Sequence, residues 1–135
     1  MFNNDRAQHS LGVARLMQEM ALEHGASKEE AEMMYYLGWV HDIGYQFTEN
    51  NLIHAKVGGE FLRQQGYEFW EAVRDHGDPS VVQDPVLLLL NRADMQVDSK
   101  GNRVSYKERL EDIKSRYGTD TTEYLTAVEL IAAIS

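Results

Sequence analysis

The sequence predicts an all-α protein, and three observations carry that prediction. Apolar residues recur at helical spacing in segment after segment, no stretch sustains the period-two alternation of a strand, and capping residues, glycine or proline separate the segments. The 135 residues suffice for one domain with a real core and are too few for two ordinary ones. Residues 1–135 are therefore read as a single helical bundle of six or seven helices, with no internal repeats.

The elements follow in order. "NNDRAQHSLGVARLMQEMALEHG" opens on the capping candidates Asn3, Asn4 and Asp5 and closes on Gly25, a helix stop. "SKEEAEMMYYLGWVH" has Ser27 and Glu30 at capping-box spacing, predicting a second helix to about His41. A polar loop leads to a third helix over Leu52 to Gln65, stopped by Gly66, and a fourth from Glu68 to about His76. "QDPVLLLLNRADM" offers Asp84 as cap and Pro85 at the first helical position of a fifth. "SYKERLEDIKSRYG" and "TTEYLTAVELIAAIS" supply two more, parted by Gly118.

Composition narrows the chemistry. Hydrophobic residues make up 43% and charged residues 26%, the balance of a folded globular chain. The chain contains no cysteine, which excludes disulfides, thiolate zinc sites and a cysteine nucleophile and leaves histidine and carboxylate as metal ligands. The longest apolar run, Val86 to Leu90, is too short to cross a bilayer, and "MFNNDRAQH" has no apolar signal segment, so no membrane partner and a cytoplasmic location are expected. A net charge of −9 disfavours long nucleic acids. It leaves room for a small phosphorylated substrate, because bound cations invert the local field of a site. Nothing in the sequence sets an oligomeric state.

The stretch "WVHDIGYQF" places two polar groups, His41 and Asp42, at the end of an apolar helix, where desolvation is costly unless something binds them. Helical periodicity puts further ligand-type residues on core-facing stripes. His9 shares a face with Val13, Leu16 and Met20, and His41 with Met34 and Leu37. His54 leads Val57 and Phe61, with Gly58 permitting a close neighbour. Phe69 and Val73 precede His76, and Leu87 and Leu90 precede Asp94. Singly, each histidine reads more readily as a hydrogen-bonded core residue, and Asp94 as a helix-end residue with Asp98 close behind. Together they cover five helices, and only His24, beside Gly25, reads as an ordinary helix-terminal histidine. Imidazole and carboxylate suit iron, manganese, zinc, cobalt or nickel, and bundles build metal sites from facing helices.

"HSLGVA" at His9, the dyad in "HDIG", "HAKVGGEFLR" at His54, "RDHGD" at His76 and "NRADM" at Asp94 stand in the order found in the HD-domain superfamily of metal-dependent phosphohydrolases. From about residue 5 to residue 98 the chain resembles that superfamily; the last two helices add nothing specific. The resemblance implies that His9, His41, Asp42 and Asp94 hold one divalent transition-metal ion. It implies a second ion at His54 and His76, with Asp42 bridging, so one or two ions per chain. Many members carry two consecutive histidines where this chain has His76 and Gly77. Arg6, one turn before His9, matches an arginine that nucleotide-cleaving relatives use on phosphate, a task suited to guanidinium geometry, and joins Asp42 as a candidate catalytic residue. Tyr45 stands where some relatives carry lysine.

Ser10 lies on another helical face from His9 and is not read as catalytic. Lys56 sits about 200° round the helix from His54 and is expected in solvent. The mixed charges of "KGNRVSYKERLEDIKSRYG" read as a solvated face, with Lys100 and Arg103 able to close over a substrate. The favoured function is phosphohydrolase on a nucleotide or another small phosphorylated metabolite. The alternatives are an HD-type di-iron oxygenase with a similar ligand set, and a non-catalytic ligand-binding or regulatory module.

Overall fold

A computed structural model of the chain describes residues 4–135 and is all-α. The helices are α1 (Asn4–Glu23), α2 (Lys28–Val40), α3 (His54–Gln64), α4 (Trp70–Asp75), α5 (Pro85–Asp94), α6 (Tyr106–Tyr117) and α7 (Thr122–Ile134). A 3₁₀ turn over Ile43–Gln46 joins α2 to α3. The described residues form no strand; a single bridge between Val97 and Arg103 closes the loop between α5 and α6. No helix among the described residues is long and apolar enough to cross a membrane.

The helix starts follow their local chemistry. Ser27 and Glu30 form the capping box: Glu30 N–H donates to Ser27 Oγ at 3.1 Å, and Ser27 N–H donates to Glu30 Oε1 at 2.9 Å. Asp84 accepts from Leu87 N–H at 2.9 Å, with Pro85 opening α5. The capping candidate Asn3 lies outside the described residues. Two boundaries differ from those the pattern predicts. α3 begins at His54 and not at Leu52, because Asn50 Oδ1 takes the Leu52 N–H at 2.8 Å and holds that stretch in a turn. α4 begins at Trp70 and ends at Asp75, and His76 is already extended, with φ −61° and ψ 141°.

The main core joins Val13, Leu16 and Met17 of α1 to Leu37 of α2, Val73 of α4 and Leu90 of α5. A second cluster gathers Met95 with Ile113 of α6 and Ala127, Leu130 and Ile134 of α7. α1 and α2 approach closely at Gly38, where an added Cβ would stand 2.6 Å from Ala14 Cα. This crossing sets His9 on α1 against His41 at the end of α2, with ring centroids 5.4 Å apart. Gly58 performs the same service for α3, abutting Gly44 of the 3₁₀ turn.

Gly38→Ala must push α1 from α2 and should destabilise the protein by about 1–3 kcal/mol, the usual range for overpacking. A urea unfolding midpoint equal to wild type would show that the crossing relaxes freely.

Candidate metal centre

Six side chains named from the sequence converge, and most come from helix ends. His41 follows α2 directly, Asp42 precedes the 3₁₀ turn, His54 opens α3, His76 follows α4 and Asp94 closes α5. His9 alone comes from within a helix. A helix end lets a side chain turn inward while the backbone leaves. His41 is 0% exposed, and His9, Asp42, His76 and Asp94 are also buried; His54 is partly so.

The four imidazoles share one arrangement. Nδ1–H donates to a backbone carbonyl in each: His9 to Asp98 at 2.9 Å, His41 to Gly38 at 2.6 Å, His54 to Asn51 at 3.0 Å and His76 to Val73 at 2.6 Å. A carbonyl only accepts, so Nδ1 carries the proton and a neutral ring presents an Nε2 lone pair to the interior. Carbonyl-anchored Nδ1 is the usual outer-shell device that orients a metal-binding histidine.

Each Nε2 faces another acceptor. His9 Nε2 lies 2.8 Å from Asp94 Oδ1, and His41 Nε2 lies 3.4 Å from Asp94 Oδ1 and 3.4 Å from Asp42 Oδ2. On the other oxygen of Asp42, Oδ1, His54 Nε2 and His76 Nε2 both stand at 3.1 Å, and those two nitrogens are 3.2 Å apart. Asp42 thus turns one oxygen to each half of the cluster. The ligand atoms of His9, His41 and Asp94 lie within 4.8 Å of one another, as do those of His41, Asp42 and His76. Atoms each roughly 2.0–2.2 Å from one ion stand about 3.0–3.4 Å apart, so these spacings fit a cation. His41 Nε2 is buried with no hydrogen-bond partner. Both the donor chemistry and this orphaned nitrogen fit a divalent ion.

The charges respond in the same sense. Burial would lower the pKa of His41, but the Asp42 and Asp94 carboxylates outweigh it and raise the value to about 9. Burial would raise Asp42, yet His41, His54 and His76 hold it well below the ordinary carboxylate range, and His41 and His9 do the same to Asp94.

The cluster lies on the wall of a cavity of about 900 Å³, within the size range of small-molecule sites. Arg6 also lines it, its guanidinium 3.8 Å over the Tyr45 ring and bonded to both oxygens of Glu49 at 3.3 and 3.0 Å. Tyr45 stacks in turn on His54, with centroids 4.2 Å apart, and its hydroxyl donates to Asn51 Oδ1 at 2.8 Å. Lys56 and Lys100 are exposed along the cavity. Arg103 points elsewhere, to Glu19 at 3.2 Å, so it does not close over this site. Asp98 contributes its carbonyl to His9 while its carboxylate accepts from Lys100 and Asn102 N–H, so Asp94 is the inward carboxylate. Ser10 is fully buried, and His24 is exposed, bonded to Met20 O.

Three supporting residues escaped the sequence reading. Asn91 is 0% exposed; its Oδ1 accepts from Gly77 N–H at 2.9 Å and its Nδ2 donates to Gln83 Oε1 at 2.8 Å, fixing the turn after His76. Its position on the Leu87–Asp94 stripe was the available signal. Asn51 holds both His54 and Tyr45, from a loop with no periodicity to mark it. Arg109 is buried although its segment reads as a solvated face, because Asp112 and the Asp94 carbonyl accept from it. The departure at Gly77 also has a physical account: its φ is +82°, a conformation an L-residue such as a second histidine rarely adopts.

A family model described as the HD domain matches residues 6–97, more than half of the chain. No curated protein and no solved structure matches.

A proton on metal-free His41 contributes stability that is fully present below the ordinary 6.5 and lost as pH rises through about 9. The lowered Asp42 and Asp94 contribute above 3.8 and lose that contribution as acid protonates them. A metal ion held by His41 would have to displace its proton. Loading at neutral pH should therefore release at least one proton, and apparent affinity should rise with pH toward 9. Calorimetry in two buffers of different ionisation enthalpy reads this, and equal heats would refute it.

Proposed function

The chain belongs to the HD-domain family, and on that basis we propose that it is a metal-dependent phosphohydrolase. Its substrate in this reading is a phosphoester or phosphoanhydride of a nucleotide or another small phosphorylated metabolite. The observation that carries the reading is the convergence of His9, His41, Asp42, His54, His76 and Asp94, Nε2 and carboxylate atoms inward, beside a cavity of about 900 Å³.

His9, His41, Asp42 and Asp94 would hold one divalent ion, and His54 and His76 a second, with Asp42 common to both sets. Bound there, such an ion supplies a water of lowered pKa and polarises a phosphoryl oxygen. The chain's own residues prepare the site. The Nδ1 bonds fix the rings before substrate arrives, so little reorganisation remains for the reaction. Asp42 supplies negative charge to both halves of the cluster, and its neighbours keep it ionised across the neutral range. Arg6 is the proposed phosphate contact at the mouth, where a phosphate would take the place Glu49 occupies beside the guanidinium. The net charge of −9 favours a small substrate over a long polyanion, and a cytoplasmic location goes with this reading.

Asp42→Ala should lose metal and depress hydrolysis by more than the roughly 10–100-fold that outer-shell changes cost. His24→Ala should change neither. Elemental analysis with a screen of phosphoesters and nucleotides across several metals checks both, and equal losses would indicate general destabilisation.

His54→Ala or His76→Ala should lower metal content from near two ions toward one, because Asp42 and two imidazoles are the only protein ligands this reading gives the second ion. Hydrolysis should fall and partly recover in excess metal. One ion in metal-replete wild type, with both variants fully active, would reject the two-ion assignment.

A further inference from the structure

Although the chain is acidic overall, Arg6, Lys56, Arg74, Lys100, Arg109 and Arg116 all line the cavity. Their surroundings separate them. Arg6 is bonded to Glu49, Arg74 to Asp75, and Arg116 to the Tyr117 hydroxyl, while Lys56 and Lys100 are exposed. Arg109 differs, being only 8% exposed.

A buried guanidinium is costly to desolvate, so the disposition of its five N–H groups is informative. Nε–H donates to the Asp94 main-chain carbonyl at 3.4 Å, and Nη1 to Asp112 Oδ2 at 3.2 Å. Nη2 has no hydrogen bond; its nearest carboxylate oxygen is Asp94 Oδ1, at 3.9 Å. The arm left over therefore lies beside the oxygen that His9 and His41 also face.

The mounting is rigid. α6 starts from a capping box in which Ser105 Oγ accepts from Glu108 N–H at 3.1 Å and Glu108 Oε1 accepts from Ser105 N–H at 3.0 Å. Asp112, one turn after Arg109, accepts from Ser99 N–H at 3.1 Å, and the neighbouring carbonyl, that of Asp98, orients His9. Arg109 is thus tied through both partners to the segment carrying Asp94 and orienting His9.

We propose that Arg109 binds a phosphoryl oxygen of the substrate through Nη2. The assignment rests on the phosphohydrolase reading and adds to it a residue beyond the stretch 6–97 matched by the family model. A phosphate oxygen completes the unused arm with a charge-assisted bond, and two arms already held mean that little entropy is lost on binding. Lysine cannot replace it: a single ammonium does not reach the Asp94 carbonyl, Asp112 and a substrate oxygen together.

The test uses the full chain, metal-loaded and metal-free, with inorganic phosphate as probe, followed by phosphorus NMR titration and by inhibition of a generic phosphoester hydrolysis. Arg109→Lys and Arg109→Gln should weaken phosphate binding about ten- to a hundredfold, the loss of a hydrogen bond to a charged group. Metal content should stay at the wild-type value, and Arg103→Gln should bind phosphate normally. Should Arg109→Gln fail to fold, Arg109→Lys decides, since it keeps the charge. Wild-type phosphate affinity in the Arg109 variants would overturn the assignment, and so would a parallel loss of metal, which would make Arg109 a brace for Asp94. A wild-type protein that neither binds phosphate nor hydrolyses any phosphoester would overturn the phosphohydrolase reading itself, a result separable from failure in the variants alone.

Discussion

Four imidazoles donate Nδ1–H to backbone carbonyls, and the site depends on this constraint. Once that proton is committed, Nε2 is an acceptor, and each Nε2 faces a carboxylate oxygen that also only accepts. Buried acceptors pointed at one another repel, and desolvating two carboxylates costs several kcal/mol each. A proton or a cation between them reverses the sign. The raised pKa of His41 and the lowered values of Asp42 and Asp94 are the protonic version of that answer; a divalent ion is the other. A cation at the cluster would replace those protons as the countercharge of Asp42 and Asp94, and the surrounding helices hold these groups together.

The fold serves this constraint by bringing helix ends together. An imidazole just past a helix, as at His41 and His76, reaches back to a carbonyl three residues earlier, so the helix that delivers the ring also orients it. His9 and His54 are oriented from loops instead, by Asp98 and Asn51. Those loops are fixed further out: Asn51 Nδ2 faces Glu123 of α7 at 3.4 Å, and Asp112 of α6 holds Ser99 beside Asp98. The last two helices, which lie beyond the family match, are therefore wired into both halves of the cluster and supply one wall of the cavity.

The sequence by itself determined the helical fold and the order of its elements, and it set His9, His41, His54, His76 and Asp94 on apolar stripes, because each is a local property; their reading as one ligand set with Asp42 came from the family resemblance. Helical periodicity decides which side chains share a face, caps decide where helices start, and histidine and aspartate on an apolar stripe announce a polar group that needs a partner. The capping box at Ser27 and Glu30 and the Asp84–Pro85 start were legible for that reason. Tertiary structure alone decided what depends on distance between remote segments. Asp42 shares its two oxygens between His41 and the His54–His76 pair only because the ends of α2 and α4 meet the start of α3. Arg109 and Lys100 come from the same charge-mixed stretch, yet one is buried beside Asp94 and the other is exposed. The pattern of charges along a chain cannot separate them. Burial of a guanidinium is decided by whether remote oxygens stand within hydrogen-bond reach, and here Asp94, 15 residues away, provides one.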